Sequence, residues 1–324
     1  MIIDILAHHV PRSVAEMLET RKYYGEQEIY QRDGKELSYP IVNADPEVRL
    51  RLMEKYGIDM QALSQTGSVL LGFSAEEQAE ICRRTNDGNY ALCKAYPDKF
   101  VNICLFSLLD MKSALSELDR AIHDLDCRAA MVCTNQQGKG LDSPEYFPFY
   151  EKVVEHDLPL FIHPIHWEKY PLADMENGWR LMQILGWPFD TLQAVWRLIF
   201  GGVIDRFPSL KIVTHHLGAT IPFFTRRIEQ NFNRFLKDKL PRHISEYYKN
   251  IYGDTATDGS PAYMCGYSFF GAERMMFGTD YPFGAESGED FVRSNLEGVK
   301  AMKIPKKDKD KILAGNAKKL LKIR

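Results

Sequence analysis

At 324 residues and 45% hydrophobic content, the chain can fill the core of one α/β barrel and is too long for a single small domain. Its 41 Lys and Arg against 44 Asp and Glu leave no basic excess for nucleic acid or an anionic membrane surface, and no stretch reaches the roughly 20 uninterrupted apolar residues of a membrane helix. Small molecules are therefore the expected partners.

Along the chain, short β-rich runs alternate with helical patterns, the mark of repeated βα units. The first predicted strand is IIDIL (2–6), followed by a segment without clear period (9–44) and then by DPEVRLRLMEKYG, a helix with an Asp cap and Pro in its first turn. Strand DMQALS (59–64) leads to the helix SAEEQAEICRRTNDGNYALCKAYP, VNICLF (101–106) to MKSALSELDRAIHDL, and AAMVC (129–133) to PEYFPFYEKVVEHD. After LPLFIH (158–163) comes a second long excursion, 164–190, and then the helix TLQAVWRLIFGGVIDRFP. KIVTH (211–215) precedes IPFFTRRIEQNFNRFL, and NIYGDT (250–255) and RMMFGTD (274–280) complete eight strands. The tail KKDKDKILAGNAKKLLKIR reads as a basic amphipathic helix with a solvated charged face. The expected architecture is one (β/α)₈ TIM barrel over residues 1–324, with the excursions 9–44 and 164–190 lying over its mouth.

The first residues lack a signal peptide's basic start and small-residue cleavage site, so the expected compartment is the cytoplasm. The six cysteines, at 82, 93, 104, 127, 133 and 265, form no CxxC pair and read as free thiols, mostly in apolar runs.

Polar residues collect where these strands end, which is where a (β/α)₈ barrel builds its active site. Strand 1 ends at His8 and His9, strand 5 at His163, strand 6 at His215 and His216, strand 7 at Asp254 and strand 8 at Asp280. Neutral imidazoles and an anionic carboxylate converging on one rim suit a catalytic divalent metal with an open position. A lone histidine at a strand end is ordinarily a hydrogen-bonded rim residue, so the set carries the argument. GTDYPFG sets Asp280 between a glycine turn and a proline, a tight polar exit that makes it the leading candidate for catalysis. Alternation places Asp4, Leu6 and His8 on one side of strand 1, and His9 on the other.

MIIDIxAH, DPEVRLRLMEKYGIDMQALS, LPLFIHP, GGVIDRFPSLKIVTHHLGATIPFFTRRI and RMMFGTDYPFG with ILAGNAKKLL together resemble the amidohydrolase superfamily, over nearly the whole chain. Within it they are similar to the branch of aromatic and muconate decarboxylases typified by aminocarboxymuconate semialdehyde decarboxylase and γ-resorcylate decarboxylase. The resemblance implies an amidohydrolase-type barrel that holds one divalent metal ion, zinc or manganese, on His8, His163 and Asp280. His216, which keeps the family's spacing to Pro222, becomes the acid–base residue beside Asp280. Arg227 in FFTRRI matches an arginine facing the substrate carboxylate, and a homodimer is implied, in keeping with surplus apolar residues in VWRLIFGGVI and IPFFTRRIEQNFNRF.

The chain departs from the pattern in two places. Leu6 stands where the family's opening carries a His or Glu ligand, and the stretch KELSYPIVNADPEVR lacks an arginine that the muconate enzyme uses. The resemblance thus implies non-oxidative decarboxylation of an aromatic or unsaturated carboxylic acid other than that muconate. Asp280 or water on the ion would deliver the proton, His216 would orient that water, and Trp167, Trp187, Tyr170 and Phe283 would form an apolar wall. Two alternatives share the frame: a hydrolase or hydratase acting with the same water on a lactone, ester, amide or double bond, and a metal-free barrel that binds an aromatic acid, for which Leu6 speaks.

Overall fold

The computed structural model describes residues 1–20, 29–32, 35–38, 45–165, 181–257 and 259–323. Seven parallel strands follow one another around the sheet in chain order: β1 (Ile3–His8), β2 (Met60–Ser64), β3 (Phe100–Leu105), β4 (Ala129–Cys133), β5 (Leu160–His163), β6 (Ile212–Thr214) and β7 (Ile251–Gly253). The run predicted as the eighth strand closes the ring as an extended segment. On one side Met276 N donates to Gly253 O, and on the other Ile5 N donates to Phe277 O and His8 N to Tyr281 O. The barrel predicted from the sequence is the architecture found.

A helix follows each strand: α1 (Pro46–Tyr56), α2 (Ala75–Ala95), α3 (Met111–Asp124), α4 (Phe147–Glu155), α5 (Trp187–Phe200), α6 (Ile221–Asn231), α7 (Ser260–Phe270) and, after the closing segment, α8 (Glu289–Ala301). Local chemistry sets their ends. Asp45 accepts from Glu47 N at 3.0 Å ahead of Pro46, and Gly57 stops α1 in the left-handed region at φ 68°. Ser74 and Glu77 form a reciprocal capping box at the start of α2, with Ser74 N to Glu77 Oε2 at 2.9 Å and Glu77 N to Ser74 Oγ at 3.3 Å. The second excursion is shorter than expected at its C-terminal end, because helical backbone begins by Met182 and α5 starts at Trp187 with Pro188 in its first turn. Within the first excursion lie a helix, Arg12–Thr20, and an antiparallel pair, Ile29–Arg32 with Lys35–Ser38.

Strand alternation divides the core. Met60, Ile103, Met131, Phe161 and Val213 belong to the cluster that fills the barrel. Leu63, Cys104, Val132, Ile162 and Ile212 belong to the cluster between strands and helices. The C-terminal tail is helical from Lys306 to Leu320, and its apolar side locks the closing segment: Phe277 N donates to Ile312 O, and Asn316 Nδ2 to Met275 O at 2.8 Å.

One irregularity bears on the site. Asp4 pairs with Gln61 but Ala7 pairs with Leu63, so β1 spends one residue more than β2 over the same stretch. This bulge breaks the expected alternation. Asp4 turns away from the barrel axis, where its carboxylate accepts from Gln61 Nε2 at 3.0 Å and Thr279 Oγ1 at 2.6 Å, and Gln61 in turn accepts from Arg49 of α1 at 3.0 Å. Leu6 and His8 stay on the inner side. Among the described residues no helix is long and apolar enough to cross a membrane.

Candidate active site

The structure brings His8, His163, His216 and Asp280 together at the C-terminal rim, with His215 among them. His8 and His163 meet edge to face with ring centroids 5.0 Å apart, His163 lies 5.4 Å from His215 and 6.1 Å from His216. Asp280 sits between two of these rings: its Oδ1 is 2.9 Å from His8 Nε2 and its Oδ2 is 3.6 Å from His216 Nε2.

The backbone presents these side chains at a cost. β6 stops at Thr214, and His216 (φ 52°), Leu217 (φ 57°) and Ala219 (φ 56°) adopt left-handed conformations that β-carbons resist; Asp280 does the same at φ 63°. Strain of this kind persists only where surrounding structure holds it. Here Asp254 accepts from Leu217 N at 3.3 Å and from Ala256 N at 3.0 Å, and Asp280 N donates to Leu6 O at 2.9 Å.

The partners of each ring decide which nitrogen faces the centre. His163 Nδ1 donates to the Pro164 carbonyl at 2.8 Å, while the Gly67 N–H approaches the same atom at 3.3 Å; the shorter bond sets the tautomer and leaves Nε2 as the basic atom. His8 Nδ1 lies 3.2 Å from Ser64 Oγ, so Nε2 is again the inward atom. His215 Nδ1 donates to Asp254 Oδ2 at 2.9 Å, with both side chains fully buried. His9, as alternation requires, points the other way, and its Nδ1 meets Asn89 Oδ1 at 2.8 Å.

Burial and charge then separate the titrations. Burial, seconded by His8, His215 and His216, holds the His163 imidazole well below the ordinary histidine range. Burial also lowers His8, against the pull of Asp280, and takes His9 down to about 3 with help from Arg49. His216 goes the other way: burial pushes it down, but the bond and charge of Asp280 outweigh that and raise it. Burial raises the Asp280 carboxyl, and His216 and His8 together overcome it and hold it far below the usual carboxylate range. Each member of the pair thus favours the charged form of the other.

Of the expected aromatic wall, Trp187 stacks on His216 at 6.5 Å with an interplanar angle of 10°, and Phe283 meets His8 edge on at 5.6 Å. Trp167 and Tyr170 lie outside the described residues. Arg227 is exposed on α6, and its side chain makes no hydrogen bond or ion pair among the described residues. Sequence reasoning noted Asp254 as a strand-end carboxylate but did not join it to His215, and it missed Ser64 and Asn89. The residues Thr-His-His after an apolar run were the available signal for the first pair.

Among the described residues no group of three or more His, Cys, Asp or Glu side chains is placed so that it could hold a metal ion without adjustment. The donor chemistry fits a divalent ion all the same. His8 and His163 each have Nδ1 held by the protein and Nε2 turned inward, the usual support for a ligating imidazole. His8 Nε2 and Asp280 Oδ1, 2.9 Å apart, share a proton here and would be two of the donors to a bound cation.

Fold and rim define an α/β barrel with its polar cluster at the C-terminal ends of the strands. The family model for amidohydrolases matches residues 3–323, and the chain belongs to that family. The 2-amino-3-carboxymuconate-6-semialdehyde decarboxylase of Dictyostelium discoideum is 30% identical over 282 residues, 86% of this chain and 76% of that protein. The γ-resorcylate decarboxylase of Rhizobium sp. (strain MTP-10005) is 28% identical over 307 residues, 89% of this chain and 90% of that protein. The crystal structure of 5-carboxyvanillate decarboxylase LigW from Sphingomonas paucimobilis matches with a TM-score of 0.83 at 25% identity, covering 100% of this chain and 99% of that one.

Proposed function

We propose that this enzyme removes CO₂ without an oxidant from an aromatic or unsaturated carboxylic acid, with one divalent cation held by His8, His163 and Asp280. The observation that carries the reading is the Asp280 carboxylate set between His8 and His216 on the rim. The relatives at 28–30% identity that share most of the chain's length are decarboxylases, which favours this chemistry over the hydration named for a relative that covers 99% of the chain at 23% identity.

Bound there, zinc or manganese supplies a Lewis acid that engages the substrate's carboxylate or a neighbouring hydroxyl and offsets negative charge. The rest falls to the chain's own groups. The bond between the carboxyl carbon and the ring or vinyl carbon breaks, its electron pair stays on the latter, and that carbon takes one proton. His216, protonated beside Asp280, delivers it from Nε2, and Asp280 stabilises the imidazolium meanwhile. In this reading His216 carries the proton that the resemblance gives to Asp280 or to water on the ion, since His216 and His8 hold the Asp280 carboxyl ionised. Trp187 keeps the His216 ring in place and, with Phe283, walls the site against water.

Arg227 is assigned to a substrate carboxylate by its place in the sequence, and its exposure leaves the guanidinium free to take one. A homodimer belongs to the same reading, supported by the exposure of Ile184 (61%) before α5 and of Phe223 (75%) on α6. Six free cysteines accord with a cytoplasmic enzyme.

The test is CO₂ release from a panel of benzoates with hydroxyls beside the carboxyl, and from unsaturated dicarboxylates, before and after chelation. Metal-dependent release from at least one member is expected. Metal-loaded protein that releases none, but adds water to a double bond or cleaves a lactone, ester or amide, would replace this reading by hydration or hydrolysis.

A further inference from the structure

Position 6 faces the interior yet offers only carbon, while one buried nitrogen nearby has nothing to bind. His215 Nε2 is shielded from solvent and has no hydrogen-bond partner among the described residues. Its tautomer is settled at the opposite edge of the ring, where Nδ1 donates to Asp254 Oδ2 at 2.9 Å. Asp254 is itself pinned by two backbone N–H groups, from Leu217 and Ala256. What remains on Nε2 is a lone pair, stripped of water and uncompensated by protein, a state that buried polar groups rarely keep unless something binds there.

Leu6 and the His215–Asp254 pair occupy neighbouring places in the barrel. A β-carbon built on Gly278 would stand 2.9 Å from Asp254 Cβ and 3.2 Å from Leu6 Cβ, so the two side chains flank the same glycine of the closing segment. The His215 ring in turn lies 5.4 Å from that of His163. His8, His163 and His215 also share one design: Nδ1 is engaged by a serine hydroxyl, a carbonyl and a carboxylate respectively, and Nε2 is turned away from that support. His216 does not share it, since its Nε2 faces Asp280 and its Nδ1 has no hydrogen bond among the described residues.

We infer that His215 is a further ligand of the divalent cation, giving through Nε2 the nitrogen that Leu6 cannot, and that Asp254 is the positioning residue that holds it. The inference rests on the metal reading above and deepens it. A neutral imidazole whose other N–H is given to a carboxylate is the form in which histidine binds metals best.

The test uses wild-type protein loaded with Mn²⁺, in which pulsed electron paramagnetic resonance counts directly bound imidazole nitrogens and needs no variant to fold. Three are expected, from His8, His163 and His215. In parallel, chelator competition measures Mn²⁺ affinity: His215→Gln should weaken it at least about tenfold, Asp254→Asn by about tenfold as a loss of ligand support, and Leu6→His should restore affinity in the His215→Gln background. Two nitrogens in the wild type, with His215→Gln within about threefold of it, would overturn the role of His215 and leave the metal reading standing. Wild-type protein that binds no Mn²⁺ would overturn both.

Discussion

His8–His9 at the end of β1 and His215–His216 after β6 are the same dipeptide in two different backbones. β1 ends at His8, but its hydrogen bonding carries on for one residue, His9 N donating to Ser64 O at 2.9 Å, so one ring faces the barrel and the other turns to Asn89. After β6 the strand has ended, His216 enters the left-handed region at φ 52°, and both rings face the centre. Identical side chains thus give one inward group in the first case and two in the second, and what differs is whether strand geometry continues. Asp280 ties the pairs together, touching the inward member of the first and the second member of the other.

The comparison can be broken most severely at Asp280. Asp280→Asn should abolish measurable turnover and strip the metal, because the amide neither binds the ion as an anion nor stabilises the His216 imidazolium; turnover within tenfold of wild type would separate Asp280 from the chemistry. His216→Asn should slow turnover by about two to four powers of ten while metal content stays near that of wild type. If that variant instead loses the metal and Asp280→Asn keeps its activity, the ligand and the proton carrier have exchanged places.

His9→Ala sharpens the contrast from the other side. With its ring turned away from the rim, kcat/KM should change less than about threefold, whereas urea unfolding should show a loss of about 1–3 kcal/mol from the orphaned Asn89. A folded His9→Ala protein without activity would mean that both members of the first pair act at the centre.

The smallest effect concerns Asp4, which the bulge turns outward. Burial pushes its carboxyl up to about 7, against hydrogen bonds from Thr279, Leu6 and Gln61. A carboxyl whose folded pKa lies above its unfolded value of about 4 favours the folded state fully below that lower value, and the contribution fades as pH rises through 7. Wild-type protein should therefore lose stability between about pH 4 and 7, by at most about 4 kcal/mol from this group, and Asp4→Asn should flatten that part of the profile. Equal slopes for the two proteins would show that Asp4 does not carry it.

Much of this arrangement was legible in the sequence because it follows from periodicity. The eight strand runs, the inward His8 and His163 and the outward His9 all come from alternation within strands, and Asp280 from the Gly-Thr-Asp-Tyr-Pro exit. Alternation failed where the backbone stops being a regular strand. The bulge between Asp4 and Ala7 reversed Asp4, and the left-handed turn at His216 brought two adjacent rings to one site. Side-chain partners were hidden for a different reason. Asp254 is 39 residues from His215, and only closure of the barrel makes them neighbours.

The central claim is that the ring of histidines around Asp280 holds one divalent ion, and elemental analysis of protein purified without chelators tests it most directly. Close to one equivalent of zinc or manganese per chain is predicted, retained on gel filtration and recovered after chelation and reloading. Less than about a tenth of an equivalent, with no gain on reconstitution, would contradict the account.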